Sequence, residues 1–211
     1  MRLRRSRPPY KLLSLLLQYP DGRLLEARHG IASAVEELAS SYEKTCLERF
    51  CQYWLATSAT ELQQDYVQTF DLQRRCGLYL SYYVHGDTRK RGMSLLRLKR
   101  MYQVAGLVKE EGELSDYLPL MLEFAELAPA GYGRRVLAEY RPSLEMVRRS
   151  LLERESPYLQ LLDAVCHDLP ALNPLEKADL ARLVVEGPPS EQVGLQPFAP
   201  PEVMPAMEPR R

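Results

Sequence analysis

Three histidines and four cysteines are the first residues of this sequence to weigh as metal ligands or nucleophiles. The cysteines Cys46, Cys51, Cys76 and Cys166 form no CxxC pair and no regular framework, so reduced thiols are expected. Cys166-His167-Asp168 is the tightest cluster, but neighbouring residues on a helix point in different directions. A zinc site asks for about four converging ligands, and no second spaced pair is present. Nucleophilic catalysis is no better served. There is no GxSxG elbow, and no cysteine has a histidine at a suggestive local spacing. Gly131-Tyr132-Gly133 lacks the further glycine or lysine of a phosphate-cradling loop. A second polar group, His85-Gly86-Asp87 followed by Arg89, Lys90 and Arg91, joins no other set of catalytic partners.

The elements that must position these groups read as helices throughout. Leu, Ala, Glu and Arg fill the long segments, and Val, Ile and Thr are sparse there. Pro9–Gln18 is a first helix closed by Pro20. A second is expected over Leu24–Leu38, with Gly30 as its weak point, and a third over Tyr42–Ala56. Thr60 and Gln63 have the spacing of a capping box for a helix carrying Leu62, Tyr66 and Phe70. Leu78–Val84 is apolar on nearly every side and predicts burial. Gly86 permits a turn, Asp87 or Thr88 can cap the next helix, and Gly106 can end it. That helix carries Leu95, Leu98, Tyr102 and Ala105 as one stripe.

After an acidic linker, Ser115 or Asp116 is expected to cap a helix with Pro119 in its first turn. Its inner face is Leu118, Met121, Leu122 and Ala125, with Glu123 and Glu126 outside. Arg134–Tyr140 follows, and Pro142 restarts the chain. Ser156-Pro157 reads as a cap and first position. Asn173-Pro174, with Glu176, begins the last helix, which runs to about Val185. The expectation is an all-α single-domain bundle of about eight to ten helices. It is divided as a basic arm over 1–8, a helical domain over 9–185 and a disordered Pro-rich tail over 186–211.

Bulk properties exclude more than they assign. Twenty-eight Lys and Arg balance 28 Asp and Glu over 211 residues, so net charge points to neither nucleic acid nor a membrane surface. Arg2, Arg4, Arg5 and Arg7 before Leu12-Leu13-Ser14-Leu15-Leu16-Leu17 imitate a secretion signal. Tyr19-Pro20-Asp21 stands where a small-residue cleavage site belongs, so a short core helix is expected. No apolar run is long enough to span a bilayer. The basic helix over Arg89–Arg100 could bind nucleic acid, yet no aromatic platform is interleaved on its outer side, and a solvated face is the plainer account.

His167-Asp168 in an all-helical chain resembles the HD-type metal-dependent phosphohydrolases, which carry an isolated His, a His-Asp pair and a later Asp. Here His85 lies far upstream, and Asp179 is the only later Asp. A histidine at a helix end is the blander reading.

A broader resemblance runs through LLSLLLQYPD, YVQTFDLQRRCGLYLSYYVHGDTRKRG, LLRLKRMYQVAGL, ELSDYLPLMLEFAEL and RESPYLQLL, over about residues 10–170. In this order these segments are similar to the nitrate reductase molybdenum cofactor assembly chaperones, the NarJ or delta-subunit family, related to the TorD-like chaperones. The most specific pieces are Phe70-Asp71, His85-Gly86-Asp87 with Arg89 and Gly92, and Asp116-Tyr117-Leu118-Pro119-Leu120. Tyr117 departs from the pattern, because the family often has His there.

The resemblance implies a cytoplasmic, non-enzymatic chaperone, monomer or weak dimer, with no stably bound cofactor and no membrane insertion. It would bind the N-terminal segment of the apo catalytic subunit of respiratory nitrate reductase and keep it competent for molybdenum cofactor insertion before membrane attachment. A TorD-like chaperone for another molybdoenzyme is the alternative. A basic amphipathic client segment asks for an apolar groove with acidic rims. Glu110, Glu111, Glu113, Asp116, Glu123 and Glu126 around Tyr117, Leu118 and Leu122 are the local candidate. Phe70, Asp71, His85, Gly86, Asp87, Arg89 and Gly92 are assigned to the hinge or its interface.

Overall fold

The leucine run near the start folds as helix α1, Tyr10–Leu16, with Leu13, Leu16 and Leu17 buried. That is the short core helix expected of it. The structure, a computed structural model, describes residues 8–107, 112–129 and 131–189. Most of the basic arm and of the Pro-rich tail, residues 108–111 and residue 130 therefore lie outside it.

The expected helix over Leu24–Leu38 is two, α2 (Gly22–Glu26) and α3 (Arg28–Glu36), and the break falls at Ala27 and not at Gly30. Asp21 starts the first by accepting from the amide of Leu24 at 2.8 Å. Helix α4 (Tyr42–Ala56) is capped by the Ser41 hydroxyl. Helix α5 (Ala59–Tyr66) has its capping box at Ser58 and Glu61, two residues before Thr60 and Gln63. Gln63 instead donates to the carbonyl of Pro20 at 3.0 Å. The chain then widens into a π turn, Val67–Asp71.

Helices α6 (Leu80–His85) and α7 (Arg89–Val104) form the hinge pair, followed by α8 (Leu118–Leu127), α9 (Tyr132–Glu139), α10 (Arg141–Glu153), α11 (Leu159–Asp168) and α12 (Pro174–Glu186). The count is thus twelve α-helices among the described residues, and the all-α expectation holds. Helix α12 has the expected capping box, Asn173 with Glu176.

Two helix ends use the same device with different residues. At the end of α7, Gly106 has φ of 77°, and the amides of Gly106 and Leu107 donate back to the carbonyls of Gln103 and Tyr102. At the end of α10 the left-handed residue is Glu155, with φ of 53°, and the amides of Glu155 and Ser156 donate to Leu152 and Leu151. Both are Schellman ends. The Ser156 amide closes α10, and its enclosed hydroxyl caps no amide of α11, which begins only at Leu159.

The core is built around α11, which packs on α1, α4 and α10, while α8 lies between α1 and α9. Leu161, Leu162, Ala164 and Val165 are fully buried, as helical spacing of apolar residues predicts. Helices α8 and α9 approach so closely that a Cβ on Gly133 would lie 2.2 Å from the Cα of Ala125. All four cysteines are buried free thiols. Burial pushes Cys51 up to about 11 and Cys166 up to about 12, far from a reactive thiolate. No helix of the described residues is long and apolar enough to cross a membrane.

Candidate functional site

His167 and Asp168 diverge. The His167 ring is exposed, with Nδ1 2.8 Å from Glu43 Oε1 and its plane stacked against Tyr42 at 4.4 Å. Asp168 turns inward, accepting from the Tyr10 hydroxyl at 2.6 Å and from Arg134 Nε at 3.1 Å. Burial tends to raise the Glu43 carboxyl, but its hydrogen bonds, that from His167 foremost, hold it below its ordinary value. The pair thus ties α11 to α4, α1 and α9. Among the described residues no three His, Cys, Asp or Glu side chains converge as a metal site.

The residues around the hinge do come together. The segment before α6 and the segment before α8 meet in a lone antiparallel bridge, Tyr79 opposite Tyr117. Leu80 N donates to the Asp116 carbonyl at 3.0 Å, and Leu118 N donates to the Leu78 carbonyl at 2.8 Å. Asp116 is fully buried between them. Its Oδ2 accepts from Ser81 N at 3.1 Å and from Ser81 Oγ at 2.6 Å, with Arg91 Nη2 at 3.5 Å. Arg91 Nη1 donates to Asp87 Oδ1 at 3.0 Å. Either Ser115 or Asp116 was expected to cap α8, but Asp116 does not. It instead caps α6, because the bridge sets its side chain against the first turn of that helix, where amides lack partners.

Next to this clasp lies a tyrosine-lined corner. Tyr66 donates to the Leu17 carbonyl at 3.2 Å, which leaves Tyr117 as donor in the 3.0 Å contact between the two hydroxyls. The Tyr79 and Tyr117 rings stack at 5.3 Å, Tyr19 meets Tyr66 edge-on at 5.5 Å, and Phe70 packs against Tyr66 at 4.9 Å. Burial is the main reason that the Tyr117 phenol rises to about 12, and the carboxylates of Glu113 and Asp71 push it the same way. Burial also raises the Tyr79 phenol, with Glu113, Asp116 and Asp71 adding to it. Asp71 is exposed at the end of the π turn, yet partial desolvation lifts its carboxyl above the ordinary value. Glu113 Oε2 is enclosed without a hydrogen-bond partner. Tyr19, Leu72 and Leu114 add exposed apolar surface on the segments that carry these groups. The corner therefore offers aromatic faces, flanking carboxylates and apolar surface, a combination that attracts cations and apolar side chains alike.

The other expected residues sort as follows. Glu110 and Glu111 lie outside the described residues. Leu118 and Leu122 are wholly buried, so they form no exposed groove. Helix α8 is apolar on most sides because it is enclosed by α1 and α9, and its leucines belong to the core. Glu123 pairs with Lys11 of α1 at 2.5 Å, and Glu126 sits half-buried on the same helix. Phe70 is core, packed on Tyr158 at 4.8 Å. Burial and the nearby charges of Lys90 and Arg97 depress His85 below its ordinary value. Gly86 has φ of 58°, and a Cβ there would lie 1.5 Å from the Pro189 carbonyl oxygen, so both its turn and its contact demand glycine. Gly92 meets nothing within 4 Å, and Arg89 is exposed on α7. Ser81, Arg91, Tyr66 and Tyr79 are the participants that sequence reasoning missed. The bridge that brings them in joins residues 38 positions apart and leaves no periodic trace.

The site is a buried polar clasp between two segments of a helical bundle, beside an aromatic and acidic surface. The bundle resembles the crystal structure of a protein from Archaeoglobus fulgidus assigned as a redox enzyme maturation protein, with a TM-score of 0.57 over 79% of this chain and 95% of that one, at 21% identity. The chain belongs to the nitrate reductase delta subunit family, which matches residues 30–163. It is 33% identical over 153 residues to a Bacillus subtilis protein assigned as nitrate reductase molybdenum cofactor assembly chaperone NarJ, covering 72% of this chain and 83% of that one. It is also 33% identical over 157 residues to the nitrate reductase-like protein NarX of Mycobacterium tuberculosis, covering 74% of this chain and 24% of that longer protein.

Proposed function

We propose that the chain is a cytoplasmic, non-enzymatic assembly chaperone for respiratory nitrate reductase. It binds the N-terminal segment of the apo catalytic subunit and keeps that subunit competent to receive molybdenum cofactor before membrane attachment. The cofactor is cargo for the client, and the chaperone holds none of its own. The observation that carries this reading beyond family membership is the corner at Tyr66, Tyr79 and Tyr117, flanked by Asp71 and Glu113. A basic amphipathic segment docked there would place its cations near Asp71 and Glu113 and its apolar side chains on the tyrosine faces. Binding of this kind buries apolar area and gives a negative heat-capacity change.

The test is calorimetry of the full chain with a synthetic peptide of about the first 20 residues of the nitrate reductase catalytic subunit, long enough for the amphipathic segment. Saturable binding is expected, weakened about tenfold, or about 1.4 kcal/mol, in the double variant Asp71→Asn, Glu113→Gln. Absence of binding at every accessible pH refutes the function. Binding that ignores both carboxylates refutes the location.

A further inference from the structure

Helix α7 buries one apolar face and exposes Met93, Leu96 and Val104 among arginines on another. Leu98 and Tyr102 are buried in the core, while on the opposite side Met93, Leu96, Arg97, Arg100 and Val104 recur at i, i+3, i+4, i+7 and i+11. Val104 is 90% exposed and Met93 65%, far more than a helix facing only solvent requires. Two cavities flank this stripe where α7 meets α9. One, of about 500 Å³, lies between Met93 and Lys90 on α7 and Glu139 and Tyr140. The other, of about 460 Å³, lies between Val104 and Met101 on α7 and Tyr132 and Arg135 on α9. Both have walls that are mainly apolar, and Arg97 pairs with Glu139 between them.

We infer that this seam is a second docking surface, for an acidic amphipathic helix of a protein partner. Met93 to Val104 is eleven steps, about 16 Å of helix rise, which three turns of a docked helix would match. Apolar side chains placed three turns apart would then fill the two cavities, as in helix-in-groove recognition. The rim fixes the charge of the occupant. Lys90, Arg100 and Arg135 border the cavities, Arg135 lying over the Tyr132 ring at 5.6 Å. Glu139, the carboxylate at the seam, is engaged by Arg97. A basic partner would meet like charge along the whole stripe, whereas acidic residues would meet unlike charge. Paired cavities favour discrete side-chain anchors over a lipid surface, for which a basic amphipathic helix needs no pockets. This surface is separate from the tyrosine-lined corner, and its charge preference is opposite.

The test uses the full chain and three fluorescent peptides of about 18 residues, about 27 Å as helices. The first has leucines on one helical face and glutamates elsewhere. The second replaces glutamate by lysine, and the third permutes the first so that no apolar face remains. Anisotropy should show the first peptide binding at least about tenfold tighter than the other two, less tightly as salt is raised. Val104→Glu and Arg100→Glu, both at exposed positions, should each weaken it about tenfold while leaving binding of the basic nitrate reductase peptide unchanged. Equal binding of the permuted peptide overturns the inference, as does indifference to both substitutions. Val104-dependent sedimentation with phosphatidylglycerol vesicles, without binding of the glutamate peptide, overturns it in favour of a membrane surface.

Discussion

Substituting Asp116 is the sharpest test of how the hinge is held. The carboxylate is fully buried and receives two donors from Ser81, with Arg91 at the edge of contact. Asp116→Ala strands the Ser81 amide and hydroxyl and leaves the Arg91 guanidinium with Asp87 and the Tyr82 ring. Removing one partner of a buried, hydrogen-bonded charged group costs about 3–5 kcal/mol. Asp116→Asn keeps one acceptor toward Ser81 but puts an amide where Oδ1 now sits without a partner. A cost nearer 2 kcal/mol is expected, the range for a buried donor left unpaired. Ser81→Ala removes the 2.6 Å bond and should cost about 1–2 kcal/mol. Urea unfolding followed by circular dichroism and fluorescence, with coincident transitions, gives each value. A double-mutant cycle should find stronger coupling of Asp116 to Ser81 than to Arg91, whose nearest nitrogen is 3.5 Å away. A loss below about 1 kcal/mol for Asp116→Ala, the level of an ordinary surface change, would refute the clasp.

Three further outcomes follow from the packing and the helix ends. Gly133→Ala should lower thermal stability by about 1–3 kcal/mol, since its Cβ would collide with the Ala125 backbone, whereas Gly92→Ala, with open space around it, should raise it by up to about 1 kcal/mol. Glu155→Gly should stabilise by about 1 kcal/mol in the same assay by relieving a left-handed non-glycine residue. Burial works to raise the Glu145 carboxyl, but Arg141, Arg148 and Arg149 together hold it below its ordinary 4.5. Its stabilising contribution is therefore present above that pH and lost as pH falls through the lowered value, so acid unfolding curves of Glu145→Gln should show a shallower decline there.

Local rules carried most of the fold. Gly106 announces the end of α7 because glycine is the residue that such a turn prefers, and Asn173-Pro174 with Glu176 announces α12. The same turn at the end of α10 is silent, because Glu155 occupies the left-handed position and Ser156-Pro157 then mimics a helix start. At Ser58-Ala59-Thr60-Glu61, two hydroxyls compete for one cap, and only the backbone decides between them. The candidate site was legible as residue types and illegible as an arrangement. Asp116 stands out in the sequence, but its partner Ser81 is 35 residues away, and Tyr66 reaches Tyr117 across 51. Leu118 and Leu122 were misread for a related reason. A helix apolar on most sides can floor a groove or fill a core, and enclosure by α1 and α9 chooses the core.

The hinge carries His, Asp and Arg, the side chains of many active sites, and its buried Asp116 and the Arg91 beside it hold two segments of the chain together. Asp116 is committed to the first turn of α6, Arg91 bridges it to Asp87, and desolvation with the neighbouring cations Lys90 and Arg97 makes His85 harder to protonate. Asp116 and Arg91 are held by partners whose loss would loosen the fold. What the clasp leaves accessible is its outer edge, where Tyr79 and Tyr117 stack and Asp71 is exposed but partly desolvated. A carboxylate that burial leaves short of water gains more from a docked cation than a fully hydrated one does, and only its ionised form gains it. Affinity for a basic segment at this corner should therefore persist above the raised Asp71 value and fall as pH drops through it. A client released by mild acid from the parent chain, and less so from Asp71→Asn, is what that arrangement requires; an Asp71→Asn variant with the same pH profile would place the contact elsewhere.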